Sequence, residues 1–380
     1  MKKAPVKSLQ MLLVAALSLS LYGCGQSAQT VNVDNVVTVE LKESDSDTKI
    51  IPIRCSVPMD DILRGICYDD FIFLMGMSRN AIYCVQGDTV VSILEASGRG
   101  HGEYSSINDY AYSQDEHILF VYADGKLLKY AVPEMAFLES VDMPITPSGM
   151  AVLNSKEILM NCSFMEENGK DAYRGICIVS SQTGEVIRRC YGLDYINKKM
   201  MMQNDLTTVP GGFVFPLNSL TRNSILHYDI ESESVEELFA FCFNSNWRVP
   251  RRLVKLSKGD VMLYAMEDYK ETRHLEGGHY PNLIDSGISF WCFPRENGKA
   301  RPVAVIEKDG NVSCRSYVVS GTDFHPSPYF IHKGYCVDIV SATDLETADS
   351  GALSPLGSEL KRVVGVQAYD NPVFFYFKVD

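Results

Sequence analysis

The stretch "IYCVQGDTVVSIL", Ile82 to Leu94, joins two β-like runs across a Gln-Gly-Asp turn. Val, Ile, Tyr and Thr favour strands, and a glycine between two such runs favours a hairpin. The same plan recurs downstream, with copies that begin at residues 127, 176, 225 and 288, so that successive starts are 45, 49, 49 and 63 residues apart. A hairpin that recurs at this interval indicates an architecture built from repeated units.

A more apolar strand precedes each of these hairpins. The six segments are "FIFLMGM", "HILFVYA", "EILMNCSF", "GFVFPL", "DVMLYAM" and "GYCVDIV". Four strands in about 45 residues is the spacing of a β-propeller blade. Continuous apolar runs suit strands that are covered on both faces, as the middle strands of stacked blades are.

The pattern therefore predicts an all-β fold, a six-bladed β-propeller over residues 49–380, with its ring closed by an N-terminal strand in the last blade. The sixth blade is expected to contain "SYVVSG", "GYCVDIV" and the C-terminal "VFFYFKV", with a helix-like segment, "GSELKRVVGVQ", before its last strand. Residues 49–55, "KIIPIRC", supply the outermost strand, because pairing the first and last strands removes exposed sheet edges. A seventh blade is less favoured, since Leu360, Val363 and Val364 have helical spacing.

The first 23 residues have the plan of a signal peptide. Three lysines precede the apolar run "MLLVAALSLSL", which is shorter than the roughly 18 residues that a membrane span needs. The following "LYGC" resembles the bacterial lipobox, which makes Cys24 the predicted lipid attachment site. Ordinary cleavage beside an incidental cysteine is the alternative. Residues 24–48 are polar and are interpreted as the lipidated N-terminus and a tether, with one strand candidate at "VVTVEL".

Charge and cysteine usage restrict the partners. Removal of residues 1–23 takes away three lysines and no acids, so the net charge falls from −13 to −16. A chain this acidic repels a phosphate backbone, and we exclude nucleic acid as a partner. The ten cysteines after Cys24 stand singly, without a CxxC pair or zinc-like spacing. They are interpreted as small buried residues, and neither a disulfide nor a metal or other cofactor is predicted.

The glycine-rich stretch "SGRGHGEYSSINDY", residues 97–110, invites a phosphate-binding interpretation. A dinucleotide loop needs Gly-x-Gly-x-x-Gly between a strand and a helix. Here Gly98, Gly100 and Gly102 are two residues apart, Glu103 occupies the third glycine position, and the following "YSSINDYAY" alternates like a strand. The stretch is therefore predicted to link the outer strand of one blade to the inner strand of the next, where sharp turns favour glycine.

Three segments carry a family resemblance. "GRGHGEYSSINDY", "SGTDFHPSPYF" and "DNPVFFYFKVD" resemble segments of the six-bladed, TolB-like or NHL-like β-propeller lipoproteins common in Bacteroidetes. His101 stands where that family usually has proline. The resemblance implies a propeller fold and a lipid anchor. It carries over no catalytic residue, because the family has none assigned.

One face of the predicted propeller carries the longer loops. With blade strands named A to D from the axis outward, the D-to-A and B-to-C connections share a face, and long loops on a rigid scaffold often bind partners. The candidate contacts on this face are Arg99, His101, Tyr104, Trp247, Arg248, Tyr269, His274, His279 and Tyr280.

Each candidate also has a plainer interpretation. His274 and His279 could ligate a metal, but a polar loop with this spacing is more often solvated. Trp247 could be wedged between blades as readily as bind a sugar or protein. Arg99, Glu103 and Tyr104 could simply tie the loop to the adjacent blade.

Two functions follow as hypotheses. The first is a non-enzymatic binding or scaffolding lipoprotein that presents this face to a protein, peptide or glycan partner. The alternative is a metal-dependent propeller hydrolase or lyase with an axial site, for which the inner-strand candidates are Asn108, Asp109, Asn204, Asp205 and Asp323. No sialidase box or Gly-x-Ser-x-Gly elbow occurs, so no catalytic residue is assigned.

The location predicted from the sequence is the cell envelope. The chain is expected to be anchored to the outer membrane through its lipid alone. The residues after the acylated cysteine, "CGQSAQTV", lack the acidic residues that accompany surface-exposed lipoproteins of the resembled group, which favours a periplasm-facing anchor.

Overall fold

A computed structural model of the chain shows six β-sheets arranged as consecutive blades. The described residues are 29–31, 37–41, 48–68, 70–147, 149–162, 175–192, 206–209, 211–218, 223–243, 248–255, 261–266, 303–306, 312–322, 324–326, 328–340, 355–367 and 371–378. Three strands precede the first blade: β1 (Gln29–Val31), β2 (Val37–Leu41) and β3 (Thr48–Pro52).

Blades 1 to 3 are regular four-stranded antiparallel sheets in chain order. Blade 1 contains β4 (Ile62–Cys67), β5 (Ile72–Gly76), β6 (Ile82–Gln86) and β7 (Thr89–Leu94). Blade 2 contains β8 (Ile107–Ser113), β9 (Ile118–Ala123), β10 (Lys126–Ala131) and β11 (Ala136–Asp142). Blade 3 contains β12 (Gly149–Asn154), β13 (Glu157–Cys162), β14 (Gly175–Ser180) and β15 (Val186–Gly192).

Blades 4 to 6 complete the ring. Blade 4 contains β16 (Thr207–Val209), β17 (Gly212–Asn218), β18 (Asn223–Asp229) and β19 (Ser234–Phe243). Blade 5 contains β20 (Arg248–Lys255), β21 (Val261–Met266), β22 (Val303–Ile306) and β23 (Val312–Val319). Blade 6 contains β24 (Phe330–His332), β25 (Tyr335–Val340), the helix α1 (Pro355–Gln367) and β26 (Val373–Phe377).

The predicted ring closure is confirmed. Strand β3 lies antiparallel to β26 as the outermost strand of blade 6, with Ile50 opposite Phe375. The helix-like segment before the last strand is also confirmed, as α1. Among the helices in the described part of the chain, none has the length and apolar character needed to cross a membrane.

Two strand assignments from the sequence are wrong. "SYVVSG" was expected in blade 6, but residues 312–319 form β23 in blade 5, and the inner strand of blade 6 is Phe330–His332. The hairpin expected from Ile288 lies mostly outside the described residues, but its end, from Val303, was expected in the fourth strand of blade 5 and belongs to the third. The cause is the distance along the chain between β21, which ends at Met266, and β22, which begins at Val303, because this distance departs from the repeat interval.

The described parts of the N-terminal arm, residues 29–31, 37–41 and 48–54, lie along the outer edges of consecutive blades. Strand β1 pairs parallel with β19 of blade 4, and β2 pairs parallel with β23 of blade 5. After β3 in blade 6, Arg54 bridges to Thr89 of blade 1, where its N–H donates to the Asp88 carbonyl at 2.7 Å. The strand candidate "VVTVEL" thus corresponds to β2, and β1 was not predicted.

The core lies between the blades, in a series of apolar clusters that each join two neighbours. One cluster joins blades 1 and 2 through Phe73, Tyr110 and Tyr130, and another joins blades 6 and 1 through Phe374 and Leu74. Burying a side chain of this size contributes about 1.5–3 kcal/mol. Seven cysteines are described, all as free thiols, of which Cys84, Cys162, Cys177 and Cys336 are buried and the other three half-buried.

Candidate functional site

The glycine-rich stretch is the connection between β7 of blade 1 and β8 of blade 2, as predicted. Its ends are drawn together, because the Gly98 N–H donates to the Tyr104 carbonyl at 3.0 Å and the Tyr104 N–H donates to the Ala96 carbonyl at 2.9 Å. Inside the loop, the Gly100 N–H donates to Oε2 of Glu103 at 2.6 Å. The loop is therefore a closed turn with its own capping carboxylate, which leaves no backbone cradle for a phosphate.

Tyr104 anchors this loop to blade 1. Its side chain is fully buried, and its hydroxyl lies 2.9 Å from the Asn80 carbonyl and 3.3 Å from the Leu94 carbonyl. Burial raises the pKa of Tyr104 to about 12, so the phenol stays neutral and remains a donor. The prediction that Tyr104 contacts a partner is therefore wrong. Its buried side chain ties the loop to the scaffold, as the plainer interpretation held.

Contacts with blade 2 hold the other side of the loop. The Tyr130 hydroxyl donates to the Gly102 carbonyl at 2.9 Å, and the His101 ring meets the edge of Phe137 with centroids 4.8 Å apart. The Ser105 N–H donates to Oδ2 of Asp124 at 2.6 Å. Held in this way, the loop exposes Arg99 and His101 at its tip, with His101 beside Phe137 of the outer strand of blade 2.

The loop meets the B-to-C turns of both blades. Asn80 lies in the turn between β5 and β6, and Asp124 lies in the turn between β9 and β10. The connection into blade 1 makes an equivalent contact, since the Ser78 N–H donates to Oδ2 of Asp60 at 2.7 Å. These bonds place the D-to-A connections beside the B-to-C turns, as the alternation of strand direction predicts.

Six candidates of this face remain, of which only Arg248 lies among the described residues. Arg248 is the first residue of β20, and its backbone lies opposite Met266. Trp247, Tyr269, His274, His279 and Tyr280 lie outside the described residues, as does Cys24. Among the candidate contacts whose side chains are described, Arg99 and His101 are therefore the exposed ones.

The inner strands carry a buried ion pair. Arg64 of β4 and Asp109 of β8 form a salt bridge, and their side chains are 5% and 0% exposed. The Arg64 guanidinium also lies over the Tyr110 ring, 5.0 Å from its centroid. The Tyr110 hydroxyl lies 3.0 Å from the Phe73 carbonyl, so this ring is fixed in turn. Asp109 is therefore neutralised by an arginine and joins blades 1 and 2 near the axis.

Asp109 is one of the residues that the sequence analysis considered for an axial, metal-dependent site. Asn108 is half-buried beside Asp109, whereas Asn204, Asp205 and Asp323 lie outside the described residues. In the described part of the chain, no three His, Cys, Asp or Glu side chains converge as metal ligands would. Near the axis, Asp109 is therefore engaged by Arg64.

A groove lies between blades 2 and 3, and the sequence analysis did not predict it. Its volume is about 360 Å³, and it is lined by Glu116, Ile118, Phe120, Lys129, Leu138, Glu139, Ser155 and Gln182. Lys129 is buried and pairs with Glu139 at 2.5 Å, and its Nζ lies 5.8 Å from the Phe120 centroid. A signal was present in the sequence, because "LLKYAV" carries a lysine in the middle of an otherwise apolar third strand.

Comparison with protein families identifies a family for the chain. Residues 25–280 match the model of the DUF5128 family, described as a 6-bladed beta-propeller. The match covers more than half of the chain. None of the curated proteins matches the chain in sequence.

Solved structures share the fold at low sequence identity. One of them is a Bacteroides fragilis NCTC 9343 protein that is inferred to be exported. It has a TM-score of 0.61 and 9% identity, and the match covers 92% of this chain and 100% of that one. A Bacteroides thetaiotaomicron VPI-5482 protein of unknown function has a TM-score of 0.40 and 8% identity, over 87% and 75% of the two chains. BamB from Moraxella catarrhalis has a TM-score of 0.38 and 12% identity, over 87% and 100%.

Proposed function

The chain belongs to this family of six-bladed β-propellers, and from that premise we propose that it is a non-enzymatic binding or scaffolding protein of the cell envelope. Its working surface is the face that carries the D-to-A and B-to-C connections. The partner is a protein, peptide or glycan.

The observation that supports this proposal is the construction of the loop at residues 96–105. Its backbone is closed by internal hydrogen bonds, and it is fixed to blade 1 through Tyr104 and to blade 2 through Tyr130 and Asp124. A loop held at this many points loses little conformational entropy when a partner binds. Arg99 is exposed at its tip, and arginine is enriched among residues that dominate binding energy.

The proposed location rests on the N-terminal sequence. Cys24, after its lipobox-like "LYGC", is the proposed lipid attachment site, and the anchor holds the protein on the periplasmic side of the outer membrane. The inferred export of the Bacteroides fragilis neighbour agrees with an envelope location. We propose membrane contact through the lipid alone, and no contact with nucleic acid.

Affinity capture from solubilised envelope, with matched charge reversals, tests the working face. The loop-tip variant carries Arg99→Glu and His101→Ser. The control carries Lys333→Glu, which reverses an exposed charge in the turn between β24 and β25, on the opposite face. We expect the loop-tip variant to lose a species that the wild type and the control both retain. Protease or periodate treatment of the extract then distinguishes a protein from a glycan.

Two outcomes would contradict the proposal. Retention of every captured species by the loop-tip variant would remove the loop from the working face. Loss of capture in the Lys333→Glu control alone would assign binding to the other face. Equal thermal unfolding of the two variants shows that a loss of capture is not a loss of fold.

A further inference from the structure

The outer edges of the blades differ in how they are covered. The N-terminal arm adds β1 to the edge of blade 4 and β2 to the edge of blade 5, supplies β3 as the edge of blade 6, and bridges the edge of blade 1 at Thr89. Among the described residues, no strand pairs with the outer side of β11 or β15, the edges of blades 2 and 3. An open edge presents unpaired N–H and C=O groups to any extended chain.

The groove between blades 2 and 3 opens beside one of these edges. Ser92, Glu139 and Arg188 occupy equivalent positions in β7, β11 and β15, each directly after the residue at which the register shifts. Ser92 hydrogen-bonds to Pro133 of blade 2, and Arg188 pairs with Glu233 of blade 4. Glu139 instead turns back to Lys129 of its own blade. At this position the rim therefore stays open, whereas the equivalent positions of the other two interfaces are bridged.

An exposed aliphatic residue marks the shifted register in each of these outer strands. Each register shift is a β-bulge, and its extra residue has no partner in the neighbouring strand. These extra residues are Val91, Leu138 and Ile187, which are 44%, 48% and 50% exposed. Leu138 alone among them also lines the groove. An incoming strand beside β11 could thus bury Leu138 while placing a side chain in the groove.

Charge distinguishes the two open edges. Around β11, Glu116 and Glu139 line the groove, and Glu134 and Asp142 are exposed near the ends of the strand. Two lysines lie among these acids: Lys129, which pairs with Glu139, and the exposed Lys126 of β10, which lies opposite Asp142. By contrast, β15 carries Arg188, which pairs with Glu233, and Arg189. With four acidic side chains against two lysines, the edge of blade 2 favours a cationic partner more than the edge of blade 3 does.

We propose that β11 and the adjoining groove form a docking site for an extended segment of a basic partner protein. The segment adds to blade 2 as a fifth strand, in the way that the arm adds strands to blades 4 and 5. Its aliphatic residues cover Leu138, and a Lys or Arg lies between Glu116 and Glu139. Main-chain hydrogen bonds supply affinity, and the alternate side chains supply specificity.

Fluorescence anisotropy with the full mature chain tests this site. The probe is a labelled peptide of alternating valine and lysine, and two control peptides replace lysine with glutamate or methylate alternate backbone nitrogens. The test variant is Leu138→Lys, and the matched control is Val91→Lys at the equivalent bulge of blade 1, whose edge is bridged by Arg54. Both positions are exposed, so both variants are expected to unfold at the wild-type temperature.

We expect the valine-lysine peptide to bind and both control peptides to bind at least about tenfold more weakly. Leu138→Lys should weaken binding about tenfold, as substitution at the centre of a contact does, while Val91→Lys leaves it unchanged. Amides of β11 should also exchange more slowly with solvent when the peptide is bound. Equal binding of the glutamate peptide, or equal effects of the two variants, would overturn the proposal. The loop-tip variant should bind the peptide normally, which separates this site from the working face.

Discussion

The interface between blades 1 and 2 and the interface between blades 2 and 3 use the same strands of the repeat but differ at the rim. The first is filled by Tyr104, Tyr110 and Tyr130, closed by the glycine-rich loop and joined near the axis by Arg64 and Asp109. The second is apolar near the axis, where Ala111 packs with blade 3, but it opens outward at the pair of Lys129 and Glu139.

The difference teaches that one blade plan can produce either a sealed or an open interface. Cys84 and Lys129 are equivalent residues of the third strand, each opposite the residue that follows the bulge. A small thiol is covered by the next blade, whereas an ammonium group needs a partner and a path to solvent. The two interfaces are therefore expected to respond very differently to substitution.

The largest effect is expected at the sealed interface, from Asp109→Ala. The substitution leaves Arg64 buried without its carboxylate, so we expect the free energy of unfolding to fall by about 3–5 kcal/mol. Urea denaturation measures this change. The control is Asp88→Ala in the exposed pair with Arg54, where a loss of no more than about 1 kcal/mol is expected. Similar losses in the two variants would mean that the buried pair does not join blades 1 and 2.

The next effect is expected from Gly102→Ala in the loop. Gly102 has a φ of 77°, and a Cβ atom there would lie 2.6 Å from Cγ of Phe137. We expect a loss of about 2–3 kcal/mol from backbone strain and displacement of the ring, read from urea denaturation. Gly87→Ala is the control, because its φ is 65° but no atom lies within 4 Å, so only about 1 kcal/mol is expected. Equal losses would show that Phe137 moves freely and that the loop is not held against blade 2.

A smaller effect with a defined pH dependence is expected from Tyr104→Phe. Loss of the hydroxyl should lower the free energy of unfolding by about 1 kcal/mol at neutral pH. Burial raises the pKa of Tyr104 from 10.0 to about 12, so its contribution is complete below pH 10 and is lost as the pH rises through about 12. The difference between wild type and variant should therefore shrink across that window in denaturation curves. A constant difference would mean that the phenol does not titrate with folding.

The smallest effect is expected at the open interface, from Lys129→Met. An apolar side chain of similar length keeps the packing on Phe120, and Glu139 is already largely exposed, so the free energy of unfolding should change by less than about 1 kcal/mol. Lys129→Ala serves as the comparison, because it also removes the aliphatic stem and should destabilise more. A loss above about 2 kcal/mol in the methionine variant would show that the ion pair itself holds blades 2 and 3 together.

Sequence reasoning recovered the features that depend on local pattern. The recurring hairpins predicted the blades, and the helical spacing of Leu360 and Val363 predicted α1. Strand β3 was predicted because an open ring would leave an exposed sheet edge. The phosphate interpretation of the glycine-rich stretch was excluded on the same local grounds. In blade 5 the pattern misled, because the connection after β21 separates the second and third strands by residues 267–302.

Other features could not be read from the chain. Strand β1 is three residues long and pairs with residues 241–243, more than 200 positions away, so no local signal marks it. Among the candidate contacts, Tyr104 looks like an exposed loop residue in the sequence and is fully buried in the fold. The groove likewise depends on whether the side chain after each bulge contacts the next blade, as Ser92 and Arg188 do, or its own blade, as Glu139 does. That choice depends on how two neighbouring sheets pack together.

The sequence by itself determined the number of blades, the identity of the closing strand and the position of the glycine-rich connection, because these follow from periodicity, turn residues and the removal of open edges. Tertiary structure alone decided which edges the N-terminal arm covers and which interface stays open at the rim. The physical reason is that strand formation is largely encoded along the chain, whereas coverage of an edge or a groove depends on distant segments that meet only once the ring has closed.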